Sequence, residues 1–228
     1  MAVRPKTSGP SLFAAAGLDK DAPRPLADKL RPQKLDEVVG QDHLLGPDGA
    51  LTRMLETRSL GSLVFWGPPG TGKTTVARLL AQATDLHFEQ ISAIFTGVAD
   101  LKKVFEEARH RRETGRGTLL FVDEIHRFNR AQQDSFLSVM EDGTIVLVGA
   151  TTENPSFELN APLLSRARVL VFKSLDAGAI EKLLERAETV QRRTVALRDK
   201  AMDALMALIA DIEAAKGAGS TDAQLADA

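Results

Sequence analysis

The most informative segment of this chain is Gly67-Pro68-Pro69-Gly70-Thr71-Gly72-Lys73-Thr74. It matches the pattern of a glycine, four variable residues and Gly-Lys-Ser/Thr, which is typical of loops that bind phosphate groups. Glycines allow the backbone to curl into φ angles that are closed to other residues, and the curl directs successive N–H groups at a polyphosphate. A helix that follows the loop adds the partial positive charge of its N-terminus. We therefore predict a nucleotide-binding loop here.

The end of this loop predicts contacts to both ATP and Mg²⁺. We expect the Lys73 ammonium to reach the β- and γ-phosphates and the Thr74 hydroxyl to bind Mg²⁺, and we include the adjacent Thr75 among the nucleotide contacts. The flanks agree, because residues 63–66 are typical of a buried strand and residues 74–84 of an amphipathic helix. The alternative is a turn rich in Gly and Pro that binds nothing, and it would leave the lysine unexplained.

Short apolar runs alternate along the chain with helix-length amphipathic stretches. The runs are 63–66, 87–91, 118–122, 144–148 and 169–172, and the helical stretches centre on 74–84, 99–112 and 129–141. Such alternation predicts an α/β fold with a five-stranded parallel sheet between helices, the fold of P-loop NTPases. Ligands bind such sheets at the carboxyl ends of the strands.

The chain divides into three predicted parts. Residues 1–24 are rich in small residues, Pro and charge and predict a flexible arm, and residues 25–173 hold the ATPase core. Residues 174–228 predict an incomplete helical lid with helices at 176–189 and 198–215, followed by a frayed tail. The apolar stripe of the second helix is typical of packing and not of a cofactor site.

Two acidic residues follow the third apolar run. Asp123 can hold Mg²⁺ through its water shell, and Glu124 can act as a general base that polarises a water toward the γ-phosphorus. Adjacent carboxylates repel each other, but Mg²⁺ would relieve this at Asp123 and leave Glu124 available for chemistry. A helix N-cap would explain an isolated pair of this kind equally well. Downstream of the phosphate loop, the catalytic interpretation is favoured.

Polar residues also follow the fourth run and precede the fifth. Thr152 is our first candidate for a side chain between the acids and the γ-phosphate, Asn154 is the second, and turn formation is the alternative. Arg166 is our candidate for an arginine finger, ahead of Arg168, because a planar guanidinium suits bidentate phosphate contact. Arg166 lies too far along the fold to reach its own nucleotide easily, so we expect it to reach a neighbour's. A surface ion pair is the alternative.

With these elements in place, the chain resembles the AAA+ ATPases. Among them it is most similar to the replication-associated recombination protein A family (RarA or MgsA), which is related to the Werner helicase interacting protein. The likeness covers about residues 24–210, and the run Gly149–Asn160 is far more specific than the phosphate loop. The other stretches that carry it are Arg24–Pro32, Val39–Pro47, Phe121–Asp134 and Leu163–Val169.

The resemblance implies several properties that spacing does not show. These are an adenine pocket near Val38, Val39 and Gly40, a finger at Arg166 that acts on a neighbouring subunit, and a homo-oligomer. It also implies ATPase activity stimulated by DNA ends or single strands at stalled forks, together with replication proteins such as single-strand binding protein. Family members are considerably longer than this chain and carry a complete lid with a second sensing arginine. Nothing after Lys200 supplies an arginine, so the resemblance implies a truncated chain.

Composition limits the remaining classes of function. The 228 residues include no cysteine, which excludes disulfides and thiolate metal sites, and the sequence contains no membrane-length apolar run. We therefore predict a cytoplasmic protein that does not enter a membrane. The formal net charge of −2 means that DNA contact needs a local basic patch. The densest one is Arg109-His110-Arg111-Arg112 with Arg116, for which a solvated helix end is the alternative.

The aromatic content is too low for a base-stacking platform, which argues against sequence-specific DNA recognition. His126 follows the two acids, but no second ligand has zinc spacing, so we predict a structural role for it. Together these features favour a DNA-dependent ATPase of replication-fork maintenance, recombination and repair. The alternatives are a non-hydrolysing nucleotide-binding module and an AAA+ ATPase of the clamp-loader or branch-migration kind.

Overall fold

The computed structural model describes residues 26–192 and Lys200. Its centre is a five-stranded sheet in the order β2-β3-β4-β1-β5, in which every neighbouring pair is parallel. All strands therefore end at the same edge of the sheet, which we call the carboxyl edge. The strands are β1 Leu63–Trp66, β2 His87–Ser92, β3 Thr118–Asp123, β4 Ile145–Thr151 and β5 Arg168–Val171.

Helices connect the strands and precede the first of them. They are α1 Leu26–Lys29, α2 Asp42–Leu45, α3 Ala50–Glu56, α4 Lys73–Ala83, α5 Val98–Glu113, α6 Arg130–Glu141, α7 Pro155–Glu158, α8 Ala161–Leu164 and α9 177–192, with 3₁₀ turns at Leu35–Glu37 and Ile125–Arg127. Residues Pro32–Leu183 form one compact unit, and the described residues 26–31 and 184–192 belong to another. None of the described helices has the length and apolar content to cross a bilayer.

Each face of the sheet carries its own apolar layer, because successive side chains of a strand point to opposite faces. Phe65 of β1 packs in the layer under α2, α3 and α4, with Val76 and Leu80 of α4 as its helical contribution. The preceding Val64 packs in the opposite layer with Phe105 of α5 and Phe136 of α6. Burial on both faces explains why the inner strands β1, β3 and β4 are nearly continuous apolar runs without alternation, whereas the edge strands β2 and β5 are more exposed.

The predicted parallel sheet and the helices between its strands are confirmed. The largest difference lies in β4, which was predicted at 144–148 and extends to Thr151 because Trp66 of β1 pairs with Thr151. The first helix of the predicted lid, 176–189, is present as α9. The predicted arm at 1–24 and nearly all of the second lid helix at 198–215 lie outside the described residues. The division into a core at 25–173 and a lid at 174–228 stays a prediction.

Candidate functional site

The predicted phosphate loop connects β1 to α4 at the carboxyl edge. Gly70 and Gly72 have φ angles of 77° and 94°, and a Cβ at either position would meet open space. These glycines are therefore required by backbone conformation and not by lack of room. At Gly67 the reason is different, because a Cβ there would collide with the backbone carbonyl of Phe172, directly after β5. The loop is thus curled as predicted and closely packed on the sheet at its first residue.

The N-terminus of α4 is open toward this loop. Its N-cap residue is Gly72, which has no side chain to cap the helix, and the first bond into the helix is from the Val76 N–H to the Gly72 carbonyl at 2.9 Å. Helices leave the N–H groups of their first turn without intrahelical acceptors, and these groups favour an anion. The helix start therefore offers N–H donors next to the loop, which suit the binding of a polyphosphate.

Lys73 places its ammonium inside the curl. Its Nζ donates to the carbonyls of Gly67 and Pro68, each at 2.7 Å. Burial lowers the pKa of Lys73, and the nearby carboxylates of Glu124 and Asp123 partly oppose that shift by raising it. The ammonium is therefore bonded to the loop, lies near both acids and is partly removed from water. A phosphate oxygen beside the Lys73 ammonium would compensate for the solvation that the ammonium loses through burial.

Strand β3 delivers the two acids to the same edge. Asp123 is the last residue of the strand, and Glu124 turns the chain with a φ of 54°, which is uncommon for a residue other than glycine. The Glu124 carbonyl accepts from the Arg127 N–H at 2.8 Å, and this bond closes the 3₁₀ turn that follows. The left-handed backbone at Glu124 therefore ends the extended strand and begins the turn.

The donor set fits Mg²⁺ better than a transition metal. No group of three or more His, Cys, Asp or Glu residues that could hold a metal occurs among residues 26–192. Magnesium is usually held by one or two protein oxygens, with phosphate and water completing its shell. A threonine hydroxyl at Thr74 and a carboxylate at Asp123 are ligands of this type. Both residues are half-buried.

His126 lies closer to this site than the sequence indicates. Its Nδ1 is 3.3 Å from Glu124 Oε2 and 2.9 Å from Thr151 Oγ1. Sequence reasoning gives His126 only a structural role and does not single out Thr151 at all. The one available signal is position, since a residue two places after Glu124 in a tight turn stays near it. The contact to Thr151 joins the turn after β3 to the end of β4, 25 residues later, so no local sequence pattern predicts it.

The two candidates after β4 have separate places. The Asn154 side chain accepts from the Ser156 N–H at 3.0 Å and caps α7, which is the turn chemistry expected of an Asn-Pro pair. Thr152 follows the last residue of β4 directly and is half-buried at the carboxyl edge. Its predicted position between the acids and the γ-phosphate remains a prediction.

The segment predicted to line the adenine pocket is anchored next to the phosphate loop. Val38 and Val39 are half-buried, and Gly40 has a φ of 76°. The following Gln41 is fully buried, and its amide donates to the carbonyls of Lys173 at 2.8 Å and Thr71 at 3.4 Å.

The Gln41 side chain also accepts from the Lys173 N–H at 3.1 Å. Gln41, which sequence reasoning does not single out, thus joins the segment before α2 to the loop and to the chain after β5. The adenine pocket itself stays a prediction.

Arg166 lies at the opposite edge of the sheet. It follows α8 and precedes Arg168, the β5 residue that pairs with Leu63, the first residue of β1. A strand of four residues spans about 13 Å, so the phosphate loop is at least that far away. Arg166 instead bonds Glu141 at the end of α6, with Nε at 2.6 Å and Nη2 at 2.5 Å from Oε1. The chain therefore does not bring Arg166 to its own acids.

The basic cluster at the end of α5 is extensively ion-paired. Its pairs are Arg111 with Glu89 at 2.8 Å and with Glu107 at 3.4 Å, Arg112 with Asp142 at 3.8 Å, Arg116 with Asp85 at 3.9 Å, and His110 with Glu113 at 3.4 Å. Acidic partners reduce the local positive field that would attract a phosphate backbone. The geometry therefore favours the solvated helix end over a DNA-binding patch.

Comparisons with known proteins agree with this fold. The model of the ATPase family associated with various cellular activities (AAA) matches residues 63–175. The replication-associated recombination protein A of Escherichia coli K12 is 52% identical over 164 residues, which cover 72% of this chain and 37% of that protein. The ATPase WRNIP1 of Dictyostelium discoideum is 43% identical over 162 residues, which cover 71% of this chain and 18% of that protein.

A solved structure with a similar fold is the Holliday junction branch migration motor RuvB of Thermotoga maritima. It aligns with a TM-score of 0.58 and 28% identity over 72% of this chain and 55% of that chain. The chain spans only 37% of the Escherichia coli relative and 18% of the Dictyostelium relative. The match therefore concerns the ATPase region of longer proteins.

Proposed function

Because this chain belongs to the AAA+ ATPases of the replication-associated recombination protein A family, we propose that it binds ATP with Mg²⁺ and couples ATP hydrolysis to action on DNA. The observation that carries the proposal is the Lys73 ammonium, held inside the curled loop and near the carboxylates of Asp123 and Glu124. Cation, acids and open helix end converge at one edge of the sheet, where parallel sheets bind their ligands.

The residues divide the work of binding between them. The backbone amides from Gly67 to Thr74 bind the phosphate oxygens, and the Lys73 ammonium moves from the loop carbonyls to the β- and γ-phosphates. Thr74 and Asp123 would hold Mg²⁺, and the ion would neutralise charge on the phosphates when bound. Val38, Val39 and Gly40 line the adenine side, next to the loop to which Gln41 is bonded.

Hydrolysis assigns one further role to Glu124. Its carboxylate accepts a proton from the attacking water as the water's oxygen bonds to the γ-phosphorus and the β–γ bridging oxygen leaves on ADP. Thr152 donates a hydrogen bond at the γ-phosphate. Arg166 of a neighbouring subunit places its guanidinium at the transition state. Its positive charge stabilises the negative charge that is spread over the phosphoryl oxygens. A homo-oligomer follows from this division of the site.

The partner we propose is DNA as single strands, ends or forks, recognised without sequence specificity. Support comes from the names of similar proteins, which refer to replication-associated recombination and to branch migration. Replication proteins such as single-strand binding protein belong to the same setting. The cysteine-free composition suits the reducing cytoplasm, where we place the protein.

One experiment tests the function as a whole. ATP turnover is measured on the chain alone and with single-stranded, forked and four-way-junction DNA, while ATP binding is followed by the fluorescence of Trp66. Trp66 is the single tryptophan, is half-buried and directly precedes Gly67, so it reports on the loop. We expect forked or single-stranded DNA to raise turnover most.

The other outcomes of this experiment identify the alternatives. Strongest stimulation by the four-way junction would favour the branch-migration alternative, which the likeness to RuvB supports. Saturable binding without turnover under any condition would identify a non-hydrolysing nucleotide-binding module. Absence of a fluorescence response and of turnover would contradict the proposal.

The shared site predicts a particular response to Arg166→Ala. Turnover should fall by up to about 10³-fold while ATP affinity stays near normal, because a finger acts on the transition state. Mixing Arg166→Ala subunits with Glu124→Gln subunits should restore part of the turnover. In a mixed oligomer some sites receive Glu124 from one variant and Arg166 from the other.

Arg168→Ala serves as the matched control, since Arg168 is exposed two residues away. If Arg168→Ala lowers turnover and Arg166→Ala does not, the finger is Arg168. If neither variant changes turnover, or if mixing restores nothing, the site is not shared through this segment. The ion pair with Glu141 would then be the whole role of Arg166.

A further inference from the structure

We propose that His126 is a positioning residue that orients the Glu124 carboxylate and connects it to the end of β4 through Thr151. The inference rests on the proposed role of Glu124 as the general base. It assigns to His126 no contact with nucleotide or water. The function of the contact is to hold one rotamer of Glu124 and to make that rotamer depend on β4.

The three side chains form a continuous path. His126 Nδ1 lies 3.3 Å from Glu124 Oε2 on one side and 2.9 Å from Thr151 Oγ1 on the other. The His126 side chain is 7% exposed and the Glu124 side chain 30%, so the imidazole is the inner partner. Thr151 is buried at the last position of β4, one residue before Thr152. The path therefore runs from the base to the segment that faces the γ-phosphate.

The network favours the tautomer of His126 that carries its proton on Nδ1. Thr151 Oγ1 accepts from the Glu153 N–H at 3.0 Å and has the Glu153 carbonyl at 3.3 Å as an acceptor for its own O–H. The hydroxyl proton thus has an outlet away from the imidazole. An unprotonated Nδ1 would direct its lone pair at a carboxylate oxygen, which is repulsive. Nδ1–H is consistent with both contacts, because it donates a hydrogen bond to Thr151 Oγ1 at 2.9 Å and places the positive end of an N–H dipole 3.3 Å from Glu124 Oε2, which it attracts electrostatically.

Glu124 needs such a partner because Lys73 also attracts it. The Glu124 carboxylate raises the pKa of Lys73, so it lies close enough to the ammonium to attract it electrostatically. With no opposing donor, the carboxylate would be drawn toward the ammonium and lose the orientation that a general base requires. The His126 N–H provides a second direction of attraction and balances the first.

The turn that carries His126 is firmly packed on β4. Ile125 is fully buried, and a Cβ at Gly149 of β4 would lie 2.7 Å from the Ile125 Cδ1. Glycine at this position allows the turn to approach the strand closely. A displacement of the end of β4 would therefore be transmitted to His126, and through it to Glu124. The position of the end of β4 and the orientation of the Glu124 carboxylate are therefore coupled.

The first test reads the histidine directly and needs no turnover. Long-range ¹H–¹⁵N spectra of the full chain resolve the four histidines, and His126→Asn assigns the signal of His126. We expect the neutral ring to carry its proton on Nδ1. Glu124→Gln and Thr151→Val should each shift the His126 Nδ1 signal and leave that of His110 unchanged. A His126 ring protonated on Nε2 alone, or one insensitive to both substitutions, would overturn the inference.

The second test separates positioning from binding. His126→Ala should lower kcat by about 10- to 100-fold, as loss of an outer partner commonly does, while KM and the Trp66 response to ATP change less than about twofold. His126→Asn should recover most of kcat, because the Asn amide can place an N–H near the position of Nδ1. His110→Ala is the matched control, with a side chain 80% exposed. Equal turnover of His126→Ala and the unsubstituted chain contradicts the inference.

A double substitution distinguishes this inference from the proposed function. If His126 acts through Glu124, then His126→Ala causes no further loss in the Glu124→Gln background. An additional loss there of the same size would mean that His126 acts elsewhere and would refute the inference alone. Full turnover in Glu124→Gln by itself would instead refute the assignment of the base, and with it the proposed function of the site.

Discussion

Lys73→Ala should lower the affinity for ATP by about 100-fold or more. The ammonium donates to two loop carbonyls at 2.7 Å in the free protein and would donate to phosphate oxygens in the complex. Two hydrogen bonds from a charged group are worth about 3 kcal/mol together, which corresponds to about 100-fold in the dissociation constant. Titration of ATP with Mg²⁺ against Trp66 fluorescence measures the change.

The same substitution should leave the fold intact. Burial lowers the pKa of Lys73, so the fold disfavours its charged form, and removing the ammonium relieves that cost. We therefore expect Tm in the absence of nucleotide to be unchanged or slightly raised. Lys103→Ala, on the exposed face of α5, is the matched control and should keep full affinity. Unchanged affinity of Lys73→Ala with a normal Tm would refute the loop as the phosphate site.

Glu124→Gln should reduce turnover by about 10²- to 10⁴-fold, the usual contribution of a general base. The carboxamide is nearly the same size as the carboxylate but does not accept a proton from the attacking water. ATP affinity should stay the same or rise, because a negative charge near the phosphates is removed. Single-turnover hydrolysis with the protein in excess measures the chemical step, and Trp66 fluorescence measures the affinity.

Glu106→Gln is the matched control for Glu124→Gln. Glu106→Gln removes one carboxylate from the exposed surface of α5 and changes net charge equally. Its turnover should match that of the unsubstituted chain. If Glu124→Gln retains turnover within a few-fold of Glu106→Gln, another group activates the water, and Asp123 becomes the first residue to examine.

The phosphate loop and the strands around it were predictable because their signals are local. Gly70 and Gly72 require positive φ angles, and β1 is a continuous apolar run because both of its faces are buried. Each of these properties depends on a few consecutive residues. The position of Asp123 and Glu124 at the carboxyl end of β3 was predictable for the same reason, because Asp123 ends a recognisable buried strand and Glu124 follows it directly.

Strand ends were less predictable than strand centres. The β4 prediction stopped at residue 148, but the strand continues to Thr151 because β1 offers backbone partners up to Trp66. Pairing between strands that are far apart in the chain, and not the composition of residues 149–151, determines that end. This difference of three residues is what brings the Thr151 hydroxyl to His126.

The sequence alone predicted the phosphate loop and the two acids from local motifs, and the resemblance of short segments to known proteins indicated an ATPase of this family. The folded chain alone revealed three connections. Gln41 bonds Lys173 across 132 positions, His126 joins Glu124 to Thr151, and Arg166 pairs with Glu141. Each includes a hydrogen bond between residues at least 25 positions apart in the chain, and that bond depends on how helices and strands pack. A pattern of residue types carries no distances between such segments, so these contacts required the three-dimensional arrangement.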